Sequence, residues 1–230
     1  MGRREIFLQE MGLGPVWRLK TASAQAAVPA ETGQLEAGAI GWAELKAVVA
    51  GCTACELHKT RTQTVFGVGD ENADWLFIGE APGADEDAKG EPFVGQAGKL
   101  LDNMLKSIGL TRGDNVYIAN VLKSRPPGNR NPLPGEIAAC FPYLRRQIEL
   151  IQPKLIVTLG KCAAETLLGR EATIASLRGK VHAYQGIPLI VTYHPAYLLR
   201  TLPDKAKAWQ DLCLARQTMQ DLCSGAPATI

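Results

Sequence analysis

Residues 76–98, the glycine-rich stretch LFIGEAPGADEDAKGEPFVGQAG, carry residue types suited to chemistry on a small ligand. Glu80 follows a short apolar strand and could hold or polarise a water molecule, while Phe93 lies between two turns as a possible stacking platform. Gly79 and Gly83 let the backbone approach a ligand with free N–H groups. The order of strand, long loop and helix is typical of a ligand site at the carboxyl end of a strand in an α/β sheet.

Two more polar residues follow predicted strands. Asn120 ends NVYIAN, and its side-chain amide can present an acceptor and a donor together. His194 follows IPLIVTY and precedes Pro195, so it projects from a stiff turn. Core packing for Phe93 and an ordinary turn role for Asn120 are the structural alternatives, and His58 and His182 lack any motif context.

A phosphate-binding loop of the Rossmann type is the competing interpretation of the glycine-rich stretch. The GxGxxG pattern is absent, and the acidic run at 85–87 would repel phosphates. The stretch therefore favours a different ligand.

The cysteines indicate a metal site in a reducing compartment. Cys52 and Cys55 form a C-x2-C pair, and the six cysteines occur without a signal sequence, which predicts a cytoplasmic protein whose paired cysteines bind metal. Cys213 and Cys223 are expected to be buried or idle thiols. No apolar run reaches the ~18 residues of a membrane span, so we expect no membrane association.

The elements that must position these residues alternate between apolar strands and helices after residue 75. This alternation predicts an α/β fold, a three-layer α/β/α sandwich with a central, mostly parallel four-stranded sheet. We expect an N-terminal helix over 1–20, a flexible linker over 21–41, the main domain over 42–220 and a frayed tail over 221–230.

A net charge of +2 does not by itself indicate a nucleic-acid partner. Basic residues nevertheless fall in or beside predicted loops, where they could meet phosphates or simply be solvated. These residues are Lys59, Arg61, Lys123, Arg125, Arg130, Arg145 and Arg146.

Three ordered blocks carry a resemblance to a known family. GEAPGADEDAKGEPFVGQAG closely resembles the first signature of the uracil-DNA glycosylase superfamily in its iron-sulfur, type 4 form. LIVTYHPAYLLR, residues 189–200, resembles the second signature, and residues 117–140 resemble the middle block. The resemblance runs from about Cys52 to the helix near Trp209.

The resemblance implies a monofunctional uracil-DNA glycosylase of base excision repair, which hydrolyses the N-glycosidic bond of flipped-out uracil and leaves an abasic site. Phe93 would stack on the uracil, Asn120 would pair with its edge, and His194 would donate a hydrogen bond to O2 as charge builds there. Glu80 would hold the water. The substrate-binding backbone would include Gly79, Ala81 and Gly83.

The implied partner is uracil-containing DNA, bound by a monomer. Arg125 and Arg200 would meet phosphates, and Tyr197, Leu198 and Leu199 would offer an apolar wedge against the bases, unless the two leucines simply begin a buried helix. Gly83 leaves no bulky side chain in the pocket, so Asp85 or Glu86 would have to exclude the methyl group of thymine.

The resemblance also implies a 4Fe-4S cluster held by Cys52, Cys55 and Cys140 and by a fourth cysteine, where this chain has Ser124. Three possibilities stay open: a cluster with Ser124 or an external ligand, a cluster completed by Cys162, or no cluster. Since serine oxygen is a harder ligand, its iron would be labile. The cluster's expected role is structural.

Two other functions compete with the enzyme. A non-catalytic module of the same fold would bind damaged DNA without releasing a base. A zinc-stabilised nucleotide-binding protein would contain zinc and show no iron absorbance.

Overall fold

The computed structural model of this protein describes residues 40–225. The predicted N-terminal helix and nearly all of the predicted linker lie outside that range. The first described helix, α1, is Trp42–Ala50, and the last, α8, is Lys205–Ser224, so it runs four residues into the predicted tail. None of the helices in the described range is long and apolar enough to cross a membrane.

The sheet has six strands in the order β1-β3-β2-β4-β6-β5. Its four central strands are parallel, as predicted: β2 (Trp75–Gly79), β3 (Val116–Asn120), β4 (Leu155–Leu159) and β6 (Ile187–Thr192). The expected count of four was short by two antiparallel edge strands, β1 (Val68–Gly69) and β5 (Val181–Tyr184).

The two edge strands were missed for physical reasons. β1 has only two residues, and β5 (VHAY) lacks the apolar run of a strand covered on both faces. Gln185 and Gly186 both have positive φ, of 47° and 84°, in the tight turn that joins β5 to β6. Positive φ at both central residues is typical of the two-residue turns of β-hairpins.

Helices cover both faces of the sheet, which confirms the three-layer architecture. Successive strand residues point to opposite faces, so Phe77 and Val157 pack with one set of helices while Leu76 and Ile78 pack with the other. The first set contains α3 (Gln96–Ser107), α7 (Pro195–Arg200) and α8. The second contains α4 (Pro134–Ile151), α5 (Lys161–Leu168) and the short α6 (Ile174–Leu177).

The carboxyl ends of the parallel strands meet at one edge of the sheet. Gly79 at the end of β2 pairs in register with Asn120 at the end of β3. The loops that follow β2, β3 and β6 therefore leave the sheet at the same edge, and the loop after β2 leads into the short helix α2 (Ala84–Lys89). This arrangement brings the three sequence blocks together.

Candidate active site

A cavity of about 410 Å³, here called the main pocket, opens at the carboxyl edge of the sheet. Eight of the predicted site residues line it: Glu80, Ala81, Gly83, Phe93, Asn120, His194, Tyr197 and Arg200. Its other lining residues are Pro82, Glu86, Ala97, Pro126, Asn129, Arg130, Asn131 and Ala196. Gly79, Arg125 and Leu198 are predicted site residues outside this lining.

Phe93 forms one wall of the main pocket in an unusual backbone conformation. Its φ is +55°, in the left-handed region that non-glycine residues rarely adopt. Its ring centroid lies 5.5 Å from that of His194, with the ring planes inclined by 32°. A Cβ atom on Gly79 would meet Asn120 Oδ1 and would lie 2.5 Å from Phe93 Cζ. Gly79 therefore supports the pocket by leaving room for both side chains.

The carboxylate of Glu86 shapes the two glycine-rich turns. One oxygen accepts a hydrogen bond from the Gly83 N–H at 3.0 Å, and the other accepts from the N–H groups of Val94 and Gly95 at 2.9 and 3.1 Å. Of the two acidic residues considered for thymine exclusion, only Glu86 lines the main pocket. Its carboxylate lies where a side chain at position 83 would project.

His194 precedes α7 and has a defined tautomer. Its Nδ1 accepts a 3.1 Å hydrogen bond from the Ala196 N–H, so a neutral ring carries its proton on Nε2. Burial, with a contribution from the charge of Arg200, lowers the pKa of His194 to about 4. At neutral pH the imidazole is therefore uncharged, with its proton on Nε2 as a hydrogen-bond donor.

Asn120 offers an unused acceptor. The residue is 2% exposed, and its Oδ1 has no hydrogen-bond partner among residues 40–225. A buried polar atom without a partner is costly, and such atoms in native proteins call for a functional explanation. A ligand N–H in the main pocket would satisfy this oxygen.

Glu80 lies on the turn after β2, partly buried. Burial raises the pKa of its carboxyl group above the usual value. Cys162, at the start of α5, is close enough for the Glu80 charge to contribute, after burial, to raising the pKa of that thiol to about 12. Cys162 therefore belongs to the surroundings of Glu80.

The rim of the main pocket requires two corrections to the predicted DNA contacts. Leu198 is 1% exposed and packs in the core below α7, so it is not available as a wedge; the exposed leucine of the pair is Leu199, at 41%. Lys123 is 2% exposed, and its Nζ donates to the Asn120 carbonyl and to Gln147 Oε1, so it does not face a phosphate.

The remaining rim residues are held by neighbours of their own. The Tyr197 hydroxyl donates to Asp204 at 2.6 Å, and its ring stacks on Tyr193 at 5.1 Å. Arg125 donates to Asn129 Oδ1 at 2.7 Å. Arg200 is an exposed cation on the pocket lining.

The candidate cluster ligands Cys52, Cys55, Cys140 and Ser124 are here called the cysteine group. Cys140 belongs to α4, and Ser124 lies on the loop after β3. The thiols of Cys55 and Cys140 are hydrogen-bonded to each other, and that bond is the main reason that the pKa of Cys55 is lowered, to about 6. The Tyr143 hydroxyl contacts Cys52 Sγ at 3.2 Å. Three thiols on two separate chain segments therefore converge.

Arg61 links Ser124 to this group. Its guanidinium donates to Ser124 Oγ at 2.8 Å and to the Cys52 carbonyl at 2.6 Å. Across residues 40–225, no three His, Cys, Asp or Glu side chains are arranged to hold a single metal ion. The donor set of three thiols and one hydroxyl instead suits a cluster, whose ligands bind different iron atoms.

Arg130, which forms a 2.6 Å ion pair with Glu136, lines the main pocket, although it was expected only to meet phosphates or be solvated. Asn129 and Asn131 also line the pocket and were not predicted as site residues. They fall inside the middle block, residues 117–140, so their position in that block was the available signal. The two other histidines donate ring N–H groups to backbone carbonyls, His58 Nδ1 to Cys55 and His182 Nε2 to Leu177, as expected for structural residues.

Comparisons with known proteins agree on one family. The sequence model of the "Uracil DNA glycosylase superfamily" matches residues 66–213. A type-4 uracil-DNA glycosylase from Archaeoglobus fulgidus is 52% identical over 159 residues, which cover 66% of this chain and 79% of the relative. One from Thermotoga maritima is 48% identical over 151 residues (65% and 78%), and one from Pyrobaculum aerophilum is 41% identical over 181 residues (74% and 91%).

Proposed function

The chain belongs to the type-4 branch of the uracil-DNA glycosylase superfamily, and on that premise we propose that it releases uracil from DNA by hydrolysing the N-glycosidic bond. The products are free uracil and an abasic site, as at the first step of base excision repair. The observation that carries the proposal is the amide oxygen of Asn120, which lacks a hydrogen-bond partner within residues 40–225 and lies in the same cavity as the Nε2–H of His194.

Asn120 would select the base. Its Oδ1 would accept the N3–H of uracil and its Nδ2 would donate to O4, while Phe93 stacks on the ring. Cytosine presents the opposite pattern at these two positions, so it would leave a buried amide unpaired, which discriminates strongly. An enzyme acting on a paired base must first flip it out of the duplex, and the cavity accommodates one such base.

His194 would stabilise the leaving group. When the bond between uracil N1 and deoxyribose C1′ breaks, its electron pair leaves with the base, and negative charge spreads to O2. The Nε2–H would donate to that oxygen. A donor aimed at developing charge is typically worth about 3 to 4 kcal/mol. The neutral ring is supported by the low pKa of His194.

Glu80 would place the attacking water. The sugar is left with cationic character at C1′, and a water oxygen adds there while its proton passes to solvent or to the carboxylate. Because such a cation reacts readily with water, position matters more than basicity. Glu80 and the backbone of Ala81 and Gly83 share the wall of the main pocket, which supports this role.

Glu86 would exclude thymine. Its carboxylate is fixed by three backbone N–H groups, so it does not move aside for an added methyl group. It also lines the main pocket next to Gly83, where the chain itself offers no side chain. Asp85 does not line the main pocket, so we do not assign it this role.

DNA would approach over the rim formed by α7 and the loop after β3. Arg200 and Arg125 would meet phosphates, and Tyr197 would flank the base. Of the two leucines first considered for the wedge, Leu199 would take the role, supported by its exposure and by the exposed Leu202 three residues further along the chain, at 60%. An apolar wedge between bases stabilises a flipped nucleotide.

The proposed reaction is monofunctional. Schiff-base chemistry at the abasic site requires an accessible amine near C1′. Over residues 40–225, no lysine lines the main pocket, and the nearby Lys123 is buried with its amine bound to other groups. The product would therefore keep an intact sugar-phosphate backbone.

Cys52, Cys55 and Cys140 would hold a 4Fe-4S cluster, with Ser124 as the fourth ligand. Bound there, the cluster would supply a covalent cross-link between chain segments and no redox step. These ligands would tie the segment after α1 to the loop after β3 and to α4, and the loop after β3 directly follows Asn120. Ser124 is preferred to Cys162 as the fourth ligand because Arg61 bonds both to its hydroxyl and to the carbonyl of Cys52.

Two further expectations remain predictions. One is a reducing, cytoplasmic compartment, which would keep the proposed cysteine ligands from forming disulfides. A monomeric state awaits light scattering of the purified protein.

The experiment is release of uracil from a labelled oligonucleotide, followed by alkaline cleavage at the abasic site. Wild type should convert uracil-containing DNA and spare thymine and cytosine. His194→Ala should lose about a hundredfold to a thousandfold in kcat, while His182→Ala, outside the pocket, should retain activity. Binding of DNA without release of base would replace the proposal with a non-catalytic damage-binding protein.

A further inference from the structure

The stacking ring of Phe93 depends on a backbone that has to be held in place. A phenylalanine at φ +55° is strained, since its Cβ crowds the backbone. Such conformations persist only where surrounding contacts determine them. The contacts that hold Phe93 at positive φ therefore also set the position of its ring.

Arg112, on the loop between α3 and β3, makes the contacts on the carbonyl side. Its Nη1 donates to the Pro92 carbonyl at 3.0 Å and its Nη2 to the Phe93 carbonyl at 2.8 Å. Its Nε donates to Asp102 Oδ1 at 2.8 Å, and Asp102 belongs to α3. One planar guanidinium thus fixes two consecutive peptide groups against a helix.

The opposite sides of the same segment are also restrained. Glu86 accepts the two N–H groups that follow Phe93, those of Val94 and Gly95. A Cβ atom on Gly98 would overlap the Phe93 carbonyl oxygen, so α3 packs directly on that peptide. Of the two side chains that bind this segment, Glu86 lines the main pocket and Arg112 does not.

We propose that Arg112 is a positioning residue for base recognition, which acts only through Phe93. The inference rests on the proposed function. Without the bidentate fork, the Pro92 and Phe93 peptides can rotate toward negative φ, and the ring then leaves the wall beside His194. Lysine cannot replace arginine here because its ammonium is a point charge that does not match two carbonyls and a carboxylate at once.

A double-mutant cycle tests the coupling. The four proteins are wild type, Arg112→Lys, Phe93→Ala and the double variant, and the measured quantity is the inhibition constant of free uracil in the excision assay. Since loss of an aromatic stacking platform weakens base binding about 5- to 150-fold, Arg112→Lys should weaken it roughly 5- to 20-fold. The double variant should match Phe93→Ala within about twofold.

The matched control is Arg170→Lys. Arg170 is exposed and follows the far end of α5, whose near end is at the carboxyl edge of the sheet. This change should leave the inhibition constant unaltered. If Arg112→Lys weakened uracil inhibition equally with and without the Phe93 ring, a role through Phe93 would be excluded.

A structural readout separates this inference from the proposed function. The Phe93 ring lies 5.5 Å from that of His194, so its ring current should shift the His194 proton resonances, and the chain has only three histidines to assign. Arg112→Lys should move the His194 signals in the same direction as Phe93→Ala, while His58 and His182 stay unchanged. Unmoved His194 signals would overturn the inference even in an active enzyme. Moved signals in a protein that releases no uracil would leave the positioning role standing and reject the proposed function alone.

Discussion

The backbone N–H of Ala196 donates a hydrogen bond of 3.1 Å to Nδ1 of His194. This contact assigns the ring proton to Nε2, and burial holds the ring neutral by lowering its pKa to about 4. The same turn that places the imidazole in the main pocket thus also sets its donor atom.

The neutral His194 should make stability depend on pH. In the unfolded chain the ring takes up a proton near pH 6.5, but in the folded protein only near pH 4, so the unfolded state binds more protons between these values. The free energy of unfolding should then fall by about 2 kcal/mol between pH 7 and pH 5 on account of this group. Urea unfolding of wild type and His194→Gln at both pH values checks this. Equal pH dependence in the two proteins would contradict it.

Asn120→Ala should remove activity without a matching loss of stability. The variant loses both contacts to the uracil edge, so kcat/KM should fall by roughly a hundredfold or more. It also removes an unpaired buried oxygen, which costs about 1 to 3 kcal/mol in the free protein. Denaturant unfolding beside the excision assay measures both effects. A strongly destabilised variant would mean that Asn120 is mainly structural.

Gly79→Ala should close the main pocket. The added Cβ would collide with Asn120 Oδ1 and the Phe93 ring, and base binding should be lost. Gly135→Ala is the matched control, since nothing lies within 4 Å of its added Cβ, and alanine in a helix should stabilise by roughly 0.5 to 1 kcal/mol. Titration with free uracil distinguishes the two variants. If Gly79→Ala bound uracil as tightly as wild type, uracil would have to bind somewhere other than the main pocket.

Leu199→Ala should impair excision from duplex DNA more than from single strands. Flipping a paired base requires unstacking energy that a wedge helps to offset, whereas a single-stranded base is already accessible. We expect a loss of about tenfold on the duplex and little change on the single strand. Comparing kcat/KM on the two substrates provides its own control. An equal loss on both would assign Leu199 to base binding or folding.

Ser124→Cys should strengthen the cluster. A fourth thiolate is a softer ligand for iron than the hydroxyl, so more iron per chain should survive dialysis against a chelator. Iron analysis and the charge-transfer absorbance measure this, and Cys213→Ser on α8 should leave both unchanged. Loss of iron in Cys162→Ser instead would show that Cys162 is the fourth ligand.

The sequence by itself determined the parallel core and the common edge at which the main polar residues of the site lie. Continuous apolar strands require cover on both faces, which predicts the layered fold. The carboxyl ends of parallel strands meet at one edge, so Glu80, Asn120 and His194 could be predicted to lie near one another. The short β1 and the hairpin strand β5 carry no such pattern, and their pairing depends on neighbours distant in the chain.

Only the tertiary structure decided what each side chain can do. Leu198 and Leu199 are adjacent leucines, and the packing of α7 alone buries one and exposes the other. The tautomer of His194, the unpaired oxygen of Asn120 and the three bonds of Arg112 likewise depend on contacts between separate segments. Periodicity reports which face of an element is apolar, whereas hydrogen bonding and exposure are set by whatever segment packs against it.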